Sequence, residues 1–353
     1  MDLQTKLDLV SAAPVEEILV QDELKALFET NAKPKHYIGF EISGLLHVGS
    51  LVSNGLVINN LIKAGVQCQV FLADWHSYIN RKMEGDWDKI QQASKYYEEA
   101  FKFYCPGVKV VHGSELYKSN DAFWRKVLEF SNHVTLARAT RCLTIMGRSE
   151  KETLHVSQFF YPSMQGVDIH ELGADIAHAG MDQRKIHVLA REVYPKMGWT
   201  PPVAIHHHLL PALGEPPKTD DIEERVMLQK MSKSRPDSAV FIHDSKEQIA
   251  AKFKKAFCPE KAVADNPVLD WAKYVIFPSI GSLRVERPEK FGGDVWYESY
   301  ANLESDFAAG KLHPVDLKNA VSGSVDRILE PVRTHFEKNP KFLDVYKDVK
   351  ITR

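Results

Sequence analysis

Short apolar runs alternate with longer helical patterns over much of the chain. Residues 36–40 (HYIGF) predict a buried strand, residues 48–64 a helix that is apolar on nearly every side, and residues 69–73 (QVFLA) the next strand. A strand, a helix and a strand in this order form a βαβ unit, and such units build parallel sheets covered by helices. Further strands are predicted at 108–111, 174–179 and 202–206. The pattern therefore predicts a doubly wound α/β domain over roughly the first 220 residues.

The pattern changes after the Pro/Gly-rich segment 209–218. Residues 247–257 and 316–336 carry apolar side chains at helical spacing, with Pro314 in the first turn of the second helix and Pro331 as a predicted kink. These features predict a smaller, mostly helical C-terminal domain. The predicted segments are an N-terminal helical segment (1–30), a Rossmann-type parallel-sheet domain (31–225) with a helical insertion at about 115–160, a linker (226–245) and a helical domain (246–353).

The composition is that of a globular chain with a sizeable core: 44% of the residues are hydrophobic and 26% are charged. The net charge is -2, so an RNA partner would have to meet a local basic surface. The 4 cysteines lie far apart without CxxC spacing, which favours reduced thiols over a zinc site or a disulfide framework. The N-terminus lacks a signal-peptide pattern and no stretch approaches a membrane span. We therefore predict a soluble, cytoplasmic protein without membrane contact.

The segment GLLHVGS (44–50) lies between the first predicted strand and its helix. The N-terminus of a helix offers unpaired N–H groups and the positive end of a dipole, which together favour phosphate. Gly49 would let a ligand approach the backbone, and His47 could donate a hydrogen bond to a phosphoryl oxygen. Neither GxGxxG nor GxxxxGK[ST] occurs in the chain. Taken alone, a helix cap with a chance histidine explains the segment about as well.

The segment KMSKS (230–234) carries lysines and serines in a predicted loop after an acidic run. Lysine is a point charge suited to a triphosphate, although such a run is normally a solvated loop. Together and in this order, HVGS and KMSKS resemble the two signatures of class I aminoacyl-tRNA synthetases. The combined match favours a functional interpretation of both segments.

Longer segments resemble the archaeal and eukaryotic tyrosyl-tRNA synthetases. These segments are YIGFEISGLLHVGS (37–50), YPSMQGVDIHELGADIAHAGMDQRKIHVLARE (161–192), RPEKFGGD (287–294) and HPVDLKNAV (313–321). The resemblance spans nearly the whole chain. It implies a tyrosine–tRNA ligase that activates L-tyrosine with ATP to tyrosyl-adenylate plus pyrophosphate and transfers tyrosine to tRNA(Tyr). It also implies a homodimer, Mg²⁺ accompanying ATP, no protein-bound structural metal and no DNA partner.

Polar residues on one predicted helix match the tyrosine-binding residues of that family. Tyr161, Gln165 and Asp168 are spaced i, i+4 and i+7, on one face of a helix that Pro162 can start. The resemblance implies that Tyr37 and Asp168 bind the phenolic hydroxyl of the substrate. It implies that the α-amino group is held by Tyr161, Gln165 and Gln183. The alternative for such a polar stripe is an ordinary solvated helix face.

The resemblance also implies residues for ATP and for catalysis. The implied catalytic residues are His47, Lys230 and Lys233, with Asp74 and His76 in a supporting role. The implied ATP-binding residues are Gly39, His47, Gly49, Ser50, Lys230, Ser232, Lys233 and Ser234. The run His206–His208 invites a zinc interpretation. Consecutive strand residues point to opposite faces, so at most two of these histidines could bind one ion, and we reject a metal there. One of the three histidines is considered for the adenine pocket.

For tRNA, the resemblance places Arg184 and Lys185 at the acceptor end and Phe291, His313 and Asp316 at the first anticodon base. Exposed RNA loops are read by aromatic stacking and by polar groups on base edges. The alternative is that Phe291 packs in a core and Asp316 caps a helix.

The chain departs from the family pattern in places, and other functions compete. Ser50 replaces the final histidine of the first signature, Ile42 stands where proline is common, and residues 275–286 look longer than in some relatives. The competing functions are a tryptophanyl-tRNA synthetase with the same fold, a nucleotidyltransferase that should lack KMSKS, and a non-catalytic RNA-binding or signalling paralogue. The pair Tyr37 and Asp168 favours a phenol over an indole.

Overall fold

The computed structural model describes residues 1–148, 153–219 and 238–347. These residues form two compact units. The first unit contains residues 1–44, 57–208 and the described residues from 342 onward, and the second contains residues 45–56 and 209–341. The short segment 45–56 thus belongs to the same unit as residues 209–341, although it lies far from them in the sequence.

The first unit is built on a six-stranded sheet with the strand order β1-β6-β5-β2-β3-β4. The strands are β1 (Val15–Ile18), β2 (Lys35–Phe40), β3 (Gln67–Leu72), β4 (Lys109–His112), β5 (Ile176–Gly180) and β6 (Val203–His207). Neighbouring strands are parallel except for β1 against β6. The predicted doubly wound sheet is confirmed. The strand order changes direction between β2 and β5. In sheets of this type, ligands bind beside the carboxyl ends of the two strands at which the order changes direction.

The edge strand β1 was not predicted, because its sequence VEEI lacks the apolar run of the inner strands. The segment 1–30 was predicted as helical and does contain α1 (Leu3–Ser11) and α2 (Gln21–Thr30), but it also supplies this strand. A short charged strand is a common way to close the edge of a sheet. Its Glu17 accepts hydrogen bonds from Arg184.

Helices cover the sheet and form the insertion. They are α3 (Asn54–Lys63), α4 (Asp74–Ile79), α5 (Trp87–Tyr104), α6 (Gly113–Tyr117), α7 (Asp121–Ser131), α8 (Leu136–Arg141), α9 (Tyr161–Glu171) and α10 (Arg184–Val193). The helix predicted at 48–64 begins as a π turn at Gly49–Ser53, continues as α3 and ends before Gly65, whose φ is 90°. The described residues of the predicted insertion, 115–148 and 153–160, contain α7 and α8. The amphipathic α5 is capped by Asp86, whose side chain accepts from the Lys89 N–H.

The second unit is mostly helical, as predicted. Its helices are α11 (Lys246–Lys255), α12 (Pro267–Trp271), α13 (Phe277–Ile280), α14 (Tyr300–Ala308) and α15 (Pro314–Lys338), and its hairpin pairs β7 (Leu283–Val285) with β8 (Val295–Tyr297). The α11 helix packs against α15 through Ile249 and Phe253 and through the predicted apolar stripe of the longer helix. Pro331 lies inside α15 without ending it. Throughout the described parts of the chain, every helix is too short or too polar to cross a bilayer.

Candidate active site

The α9 helix turns its polar stripe towards the interior of the first unit. The side chain of Asp168 is fully buried, Tyr161 is 6% exposed, and Gln165 is half-buried. Pro162 lies in the first turn of the helix, as predicted. A solvated helix face, the alternative for this stripe, is therefore wrong.

Asp168 lies at the centre of a buried polar cluster. The Tyr117 hydroxyl donates to Asp168 Oδ1 at 2.6 Å, and His76 Nε2 lies 3.4 Å from Asp168 Oδ2. Among the described residues, Asp168 Oδ2 and both ring nitrogens of His76 have no hydrogen-bond partner. Buried polar atoms are almost always paired, so this group of unpaired atoms is suited to a polar ligand.

Burial sets the protonation of this cluster. It lowers the pKa of His76 to about 3, so the imidazole is neutral at pH 7 and offers one donor and one acceptor. It raises the pKa of Asp168 well above the usual range of a carboxyl, while the hydrogen bond from Tyr117 acts in the opposite direction. Burial and the nearby Asp168 charge raise the pKa of Tyr37, so its phenol stays protonated and can donate.

Tyr37 and Gly39 are two residues apart in β2, so they lie on the same face of the sheet. Its side chain is 2% exposed and belongs to the same hydrophobic core as Tyr117 and Tyr161. A Cβ atom at position 39 would lie 2.5 Å from the Tyr37 hydroxyl oxygen. Gly39 was predicted as an ATP-binding residue, and the structure shows in addition that its missing side chain makes room for the Tyr37 hydroxyl.

Replacing Gly39 with alanine is expected to raise the KM for tyrosine about tenfold and to change the KM for ATP less than about twofold, because the added methyl group displaces the Tyr37 hydroxyl. Steady-state pyrophosphate exchange measures both constants. Gly214→Ala is the control, since a Cβ there meets no atom within 4 Å. A rise in the KM for ATP alone would contradict this role and favour the ATP assignment.

The amide side chains predicted for the α-amino group lie close together. Gln165 Nε2 is 3.5 Å from Gln183 Oε1, and Gln183 Nε2 donates to the Ile145 carbonyl at 2.7 Å. Gln165 Oε1 is buried without a hydrogen-bond partner among the described residues. The rings of Tyr161 and His76 pack in a T-shaped arrangement at 4.5 Å between centroids, which connects Tyr161 with the Asp168 cluster.

Asp74 is structural. Its carboxylate accepts hydrogen bonds from the N–H groups of Trp75 and Ser114 and from Gln91 Nε2, at 2.8 to 3.2 Å. These bonds attach the start of α6 to α4, and α6 ends at Tyr117. Tyr117 was not predicted as a site residue, since no residue near it in the sequence indicates a polar partner.

In the HVGS segment, which belongs to the second unit, several hydrogen bonds join His47 to Ser50. The Ser50 hydroxyl accepts from the His47 N–H at 2.8 Å and donates to the His47 carbonyl at 2.9 Å. The Ser50 N–H is shared between the His47 carbonyl oxygen at 2.9 Å and His47 Nδ1 at 3.2 Å. A ring nitrogen that accepts a hydrogen bond carries no proton, so the neutral His47 ring carries its proton on Nε2. The hydroxyl of Ser50, which replaces the final histidine of the signature, thus holds the backbone of His47, while the backbone N–H of residue 50 favours an Nε2 donor.

The other departure in this region also has a structural reason. The buried Ile42 donates its N–H to Ser77 Oγ at 2.7 Å. Proline has no N–H group and could not make this bond. The KMSKS segment, with Lys230, Ser232, Lys233 and Ser234, lies outside the described residues.

The residues predicted for tRNA lie in both units. Arg184 donates to both carboxylate oxygens of Glu17, and Lys185 Nζ is 3.5 Å from Thr144 Oγ1. Their role towards the acceptor end stays a prediction.

Phe291, predicted to contact the first anticodon base, is 61% exposed, so the alternative that it packs in a core is wrong. Its ring lies 4.9 Å from Lys290 Nζ. The cap of α15 is His313, whose Nδ1 accepts from the Val315 N–H, whereas Asp316 lies within the first turn. The capping role proposed as the alternative for Asp316 is therefore also wrong.

The consecutive histidines of β6 point to opposite faces, as expected. His206 bonds to His187 at 3.0 Å and to Glu17 at 2.8 Å, while His207 bonds to His178 at 2.9 Å. No three His, Cys, Asp or Glu side chains within the described part of the chain are placed to hold one metal ion. The cysteines are thiols. A place for one of these histidines in the adenine pocket stays a prediction.

Known proteins resemble this chain over its whole length. The family model for class I tRNA synthetases of the tryptophan and tyrosine type matches residues 29–330. The tyrosine–tRNA ligase of Thermococcus sibiricus is 47% identical, and the alignment covers 100% of both chains.

Solved structures agree. The tyrosyl-tRNA synthetase of Pyrococcus horikoshii, crystallised with L-tyrosine, superposes with a TM-score of 0.93 at 46% identity, over 99% of this chain and 100% of that one. The enzyme from Archaeoglobus fulgidus, also complexed with L-tyrosine, gives a TM-score of 0.84 at 38% identity, over 94% and 99% of the two chains. The chain belongs to the class I tRNA synthetases and, among them, to the tyrosine–tRNA ligases.

Proposed function

We propose that the Asp168 cluster of the first unit binds the side chain of L-tyrosine, and that the enzyme activates this amino acid with ATP and transfers it to tRNA(Tyr). The observation that carries the proposal is the unpaired, fully buried Asp168 Oδ2, 3.4 Å from the neutral His76 ring. A phenolic hydroxyl both donates and accepts, so it can donate to Asp168 and accept from His76 or Tyr37.

The same cluster accounts for the rejection of phenylalanine. Without a substrate hydroxyl, the buried atoms of Asp168 and His76 would stay unpaired, at a cost of about 1–3 kcal/mol for each group left without a hydrogen bond. Tyrosyl-tRNA synthetases are a well-known example of this rule. The relatives crystallised with L-tyrosine support the same substrate.

The α-amino group would lie towards the amide pair. Gln165 and Gln183 offer carbonyl oxygens to an ammonium group, and Gln165 Oε1 is buried without a partner among the described residues. Tyr161, one helical turn before Gln165 on α9, lies on the same face. This arrangement would leave the carboxylate of the substrate to react.

Activation requires that the tyrosine carboxylate attack the α-phosphate of ATP, forming tyrosyl-adenylate and releasing pyrophosphate. The Nε2–H of His47 is a donor for a phosphoryl oxygen, and Gly49 allows close approach to the backbone. Lys230 and Lys233 would neutralise the pyrophosphate, with Ser232 and Ser234 beside them. The terminal hydroxyl of the tRNA then takes the aminoacyl group. Catalysis would consist of positioning and charge stabilisation.

Mg²⁺ would enter with ATP, since this ion keeps most of its waters and binds substrate phosphates. At the anticodon end, the exposed Phe291 ring offers a stacking surface for a base, and His313 and Asp316 offer polar atoms. We place the enzyme in the cytoplasm, where thiols such as its four cysteines stay reduced.

We propose a homodimer that forms through α7 and α8. Trp124 and Leu128, one helical turn apart on α7, are 41% and 58% exposed, and Leu136 at the start of α8 is 72% exposed. Exposed apolar side chains of this size support an interaction surface on these helices. Sedimentation equilibrium is expected to give twice the chain mass, and Leu128→Glu to shift it towards the single chain. A wild-type monomer at micromolar concentration would refute the dimer.

The function is tested by pyrophosphate exchange and by tRNA charging with each amino acid. Tyrosine is expected to support both reactions, and phenylalanine and tryptophan to give less than about a hundredth of its kcat/KM. Equal or better exchange with tryptophan would contradict the proposed substrate. A complete absence of exchange would favour the non-catalytic paralogue.

A further inference from the structure

Tyr117 is held rigidly beside the proposed substrate site. It is the last residue of α6 and 6% exposed. Its ring stacks on Phe123 at 4.1 Å between centroids and lies 6.4 Å from the Phe71 ring. Since packing fixes the ring, the direction of its hydroxyl is fixed as well.

The hydroxyl is directed at one oxygen of Asp168. The Tyr117 hydroxyl donates to Asp168 Oδ1 at 2.6 Å, a short O–H···O distance. Burial and the charge of Asp168 raise the pKa of Tyr117, so the phenol keeps its proton and acts as the donor. The bond also favours the ionised form of Asp168, against the effect of burial.

This bond decides which oxygen of Asp168 is available to a ligand. The terminal torsion of an aspartate side chain is broad and two-fold, so a carboxylate without such a bond can rotate. With Oδ1 engaged by Tyr117, Oδ2 is the oxygen that lies 3.4 Å from His76 Nε2 and has no hydrogen-bond partner among the described residues.

The position of Tyr117 is itself fixed from the other end of α6. The Ser114 N–H donates to both oxygens of Asp74, at 2.9 and 3.2 Å. A Cβ atom at Gly113 would lie 2.7 Å from Asp74 Oδ1 and 3.2 Å from the Phe71 ring. The short helix therefore starts against Asp74 and ends with its tyrosine against Asp168.

We propose that Tyr117 is a specificity-determining positioning residue for tyrosine: its hydroxyl holds Asp168 so that Oδ2 faces the phenolic hydroxyl of the substrate. The inference rests on the proposed binding of tyrosine at Asp168. Tyr117 acts through Asp168, so its effect falls on the recognition of the hydroxyl and leaves the chemical step nearly unchanged.

The test compares Tyr117→Phe with Tyr194→Phe. Both variants lose one buried hydroxyl bond, since the Tyr194 hydroxyl donates to the Gly166 carbonyl at 2.6 Å. In pyrophosphate exchange, Tyr117→Phe is expected to raise the KM for tyrosine about tenfold, to change kcat less than about threefold, and to reduce the preference for tyrosine over phenylalanine about tenfold. Tyr194→Phe is expected to keep the wild-type preference.

The double variant Tyr117→Phe/Asp168→Asn separates positioning from packing. If Tyr117 acts through Asp168, its removal has no further effect on the tyrosine-to-phenylalanine ratio in the Asp168→Asn background. In Tyr117→Phe, the buried Asp168 carboxylate loses one hydrogen bond, which could impair folding. The double variant has no carboxylate at position 168, so it provides a result even if the single variant folds poorly.

The outcomes distinguish this proposal from the one on which it rests. If Asp168→Asn loses the preference for tyrosine but Tyr117→Phe keeps it, the role of Tyr117 is overturned and the substrate site stands. The role of Tyr117 would also be overturned if Tyr117→Phe lost activity equally with tyrosine and with phenylalanine. The same holds if removing the Tyr117 hydroxyl changed the tyrosine-to-phenylalanine ratio as much in the Asp168→Asn background as in the wild type. If Asp168→Asn itself keeps the wild-type preference, the proposed tyrosine site is wrong.

Discussion

Asp168→Asn is expected to lower kcat/KM for tyrosine about 100-fold or more and to leave the weak activity with phenylalanine nearly unchanged. The variant has the same shape, but its amide replaces a charged acceptor by a neutral group, and hydrogen bonds to charged groups contribute about 1.5–3 kcal/mol. It also disturbs the partner atoms on Tyr117 and His76. Pyrophosphate exchange with both amino acids measures the change.

The same variant has a predicted pH dependence of stability. Burial raises the folded-state pKa of Asp168 above that of the unfolded chain, so its contribution to stability is fully present below the unfolded pKa and is lost as the pH rises through the folded pKa. Asparagine does not titrate. The Tm difference between Asp168→Asn and wild type should therefore move in favour of the variant as the pH rises from the ordinary pKa of a carboxyl group through the raised pKa of Asp168. A difference that moves in favour of wild type would contradict the buried, destabilising charge.

His47→Ala is expected to reduce kcat for tyrosine activation about 100- to 1000-fold, with little change in the KM for tyrosine. Removing one donor that is aimed at charge developing in a transition state has an effect of this size. The donor is Nε2–H, because His47 Nδ1 accepts from the Ser50 N–H. Single-turnover adenylate formation measures the chemical step directly.

Ser50→Ala is expected to have a smaller effect on kcat than His47→Ala. It removes the hydroxyl that bonds to both backbone groups of His47 but keeps the Ser50 N–H on Nδ1, so a loss of about tenfold in kcat is expected. Retention of wild-type kcat in His47→Ala would remove His47 from the mechanism. A larger loss in Ser50→Ala than in His47→Ala would show that the serine acts on its own.

Much of the fold was predictable because burial leaves a local pattern. Strands β2, β3, β5 and β6 lie inside a parallel sheet, and such strands read as apolar runs bounded by turn residues. The edge strand β1 carries two glutamates and pairs only with β6, far along the chain. Its pairing partner decides its structure, which no local pattern could indicate.

The site was predictable where its residues share one helix. The spacing of Tyr161, Gln165 and Asp168 placed them on one face of α9, and the structure buries that face. Tyr117 was missed because its partner lies 51 residues away in the sequence. The role of Gly39 in making room for Tyr37 was missed for a related reason, since it depends on the path of a side chain across the sheet.

By itself, the sequence determined the parallel sheet, the helical C-terminal unit and the buried face of α9, because side-chain periodicity and turn residues act over a few positions. Only the tertiary structure decided which distant polar atoms meet: Tyr117 with Asp168, and Asp74 with the start of α6. A hydrogen bond requires its two atoms within about 3 Å, and for distant residues that condition is set by the packing of whole elements.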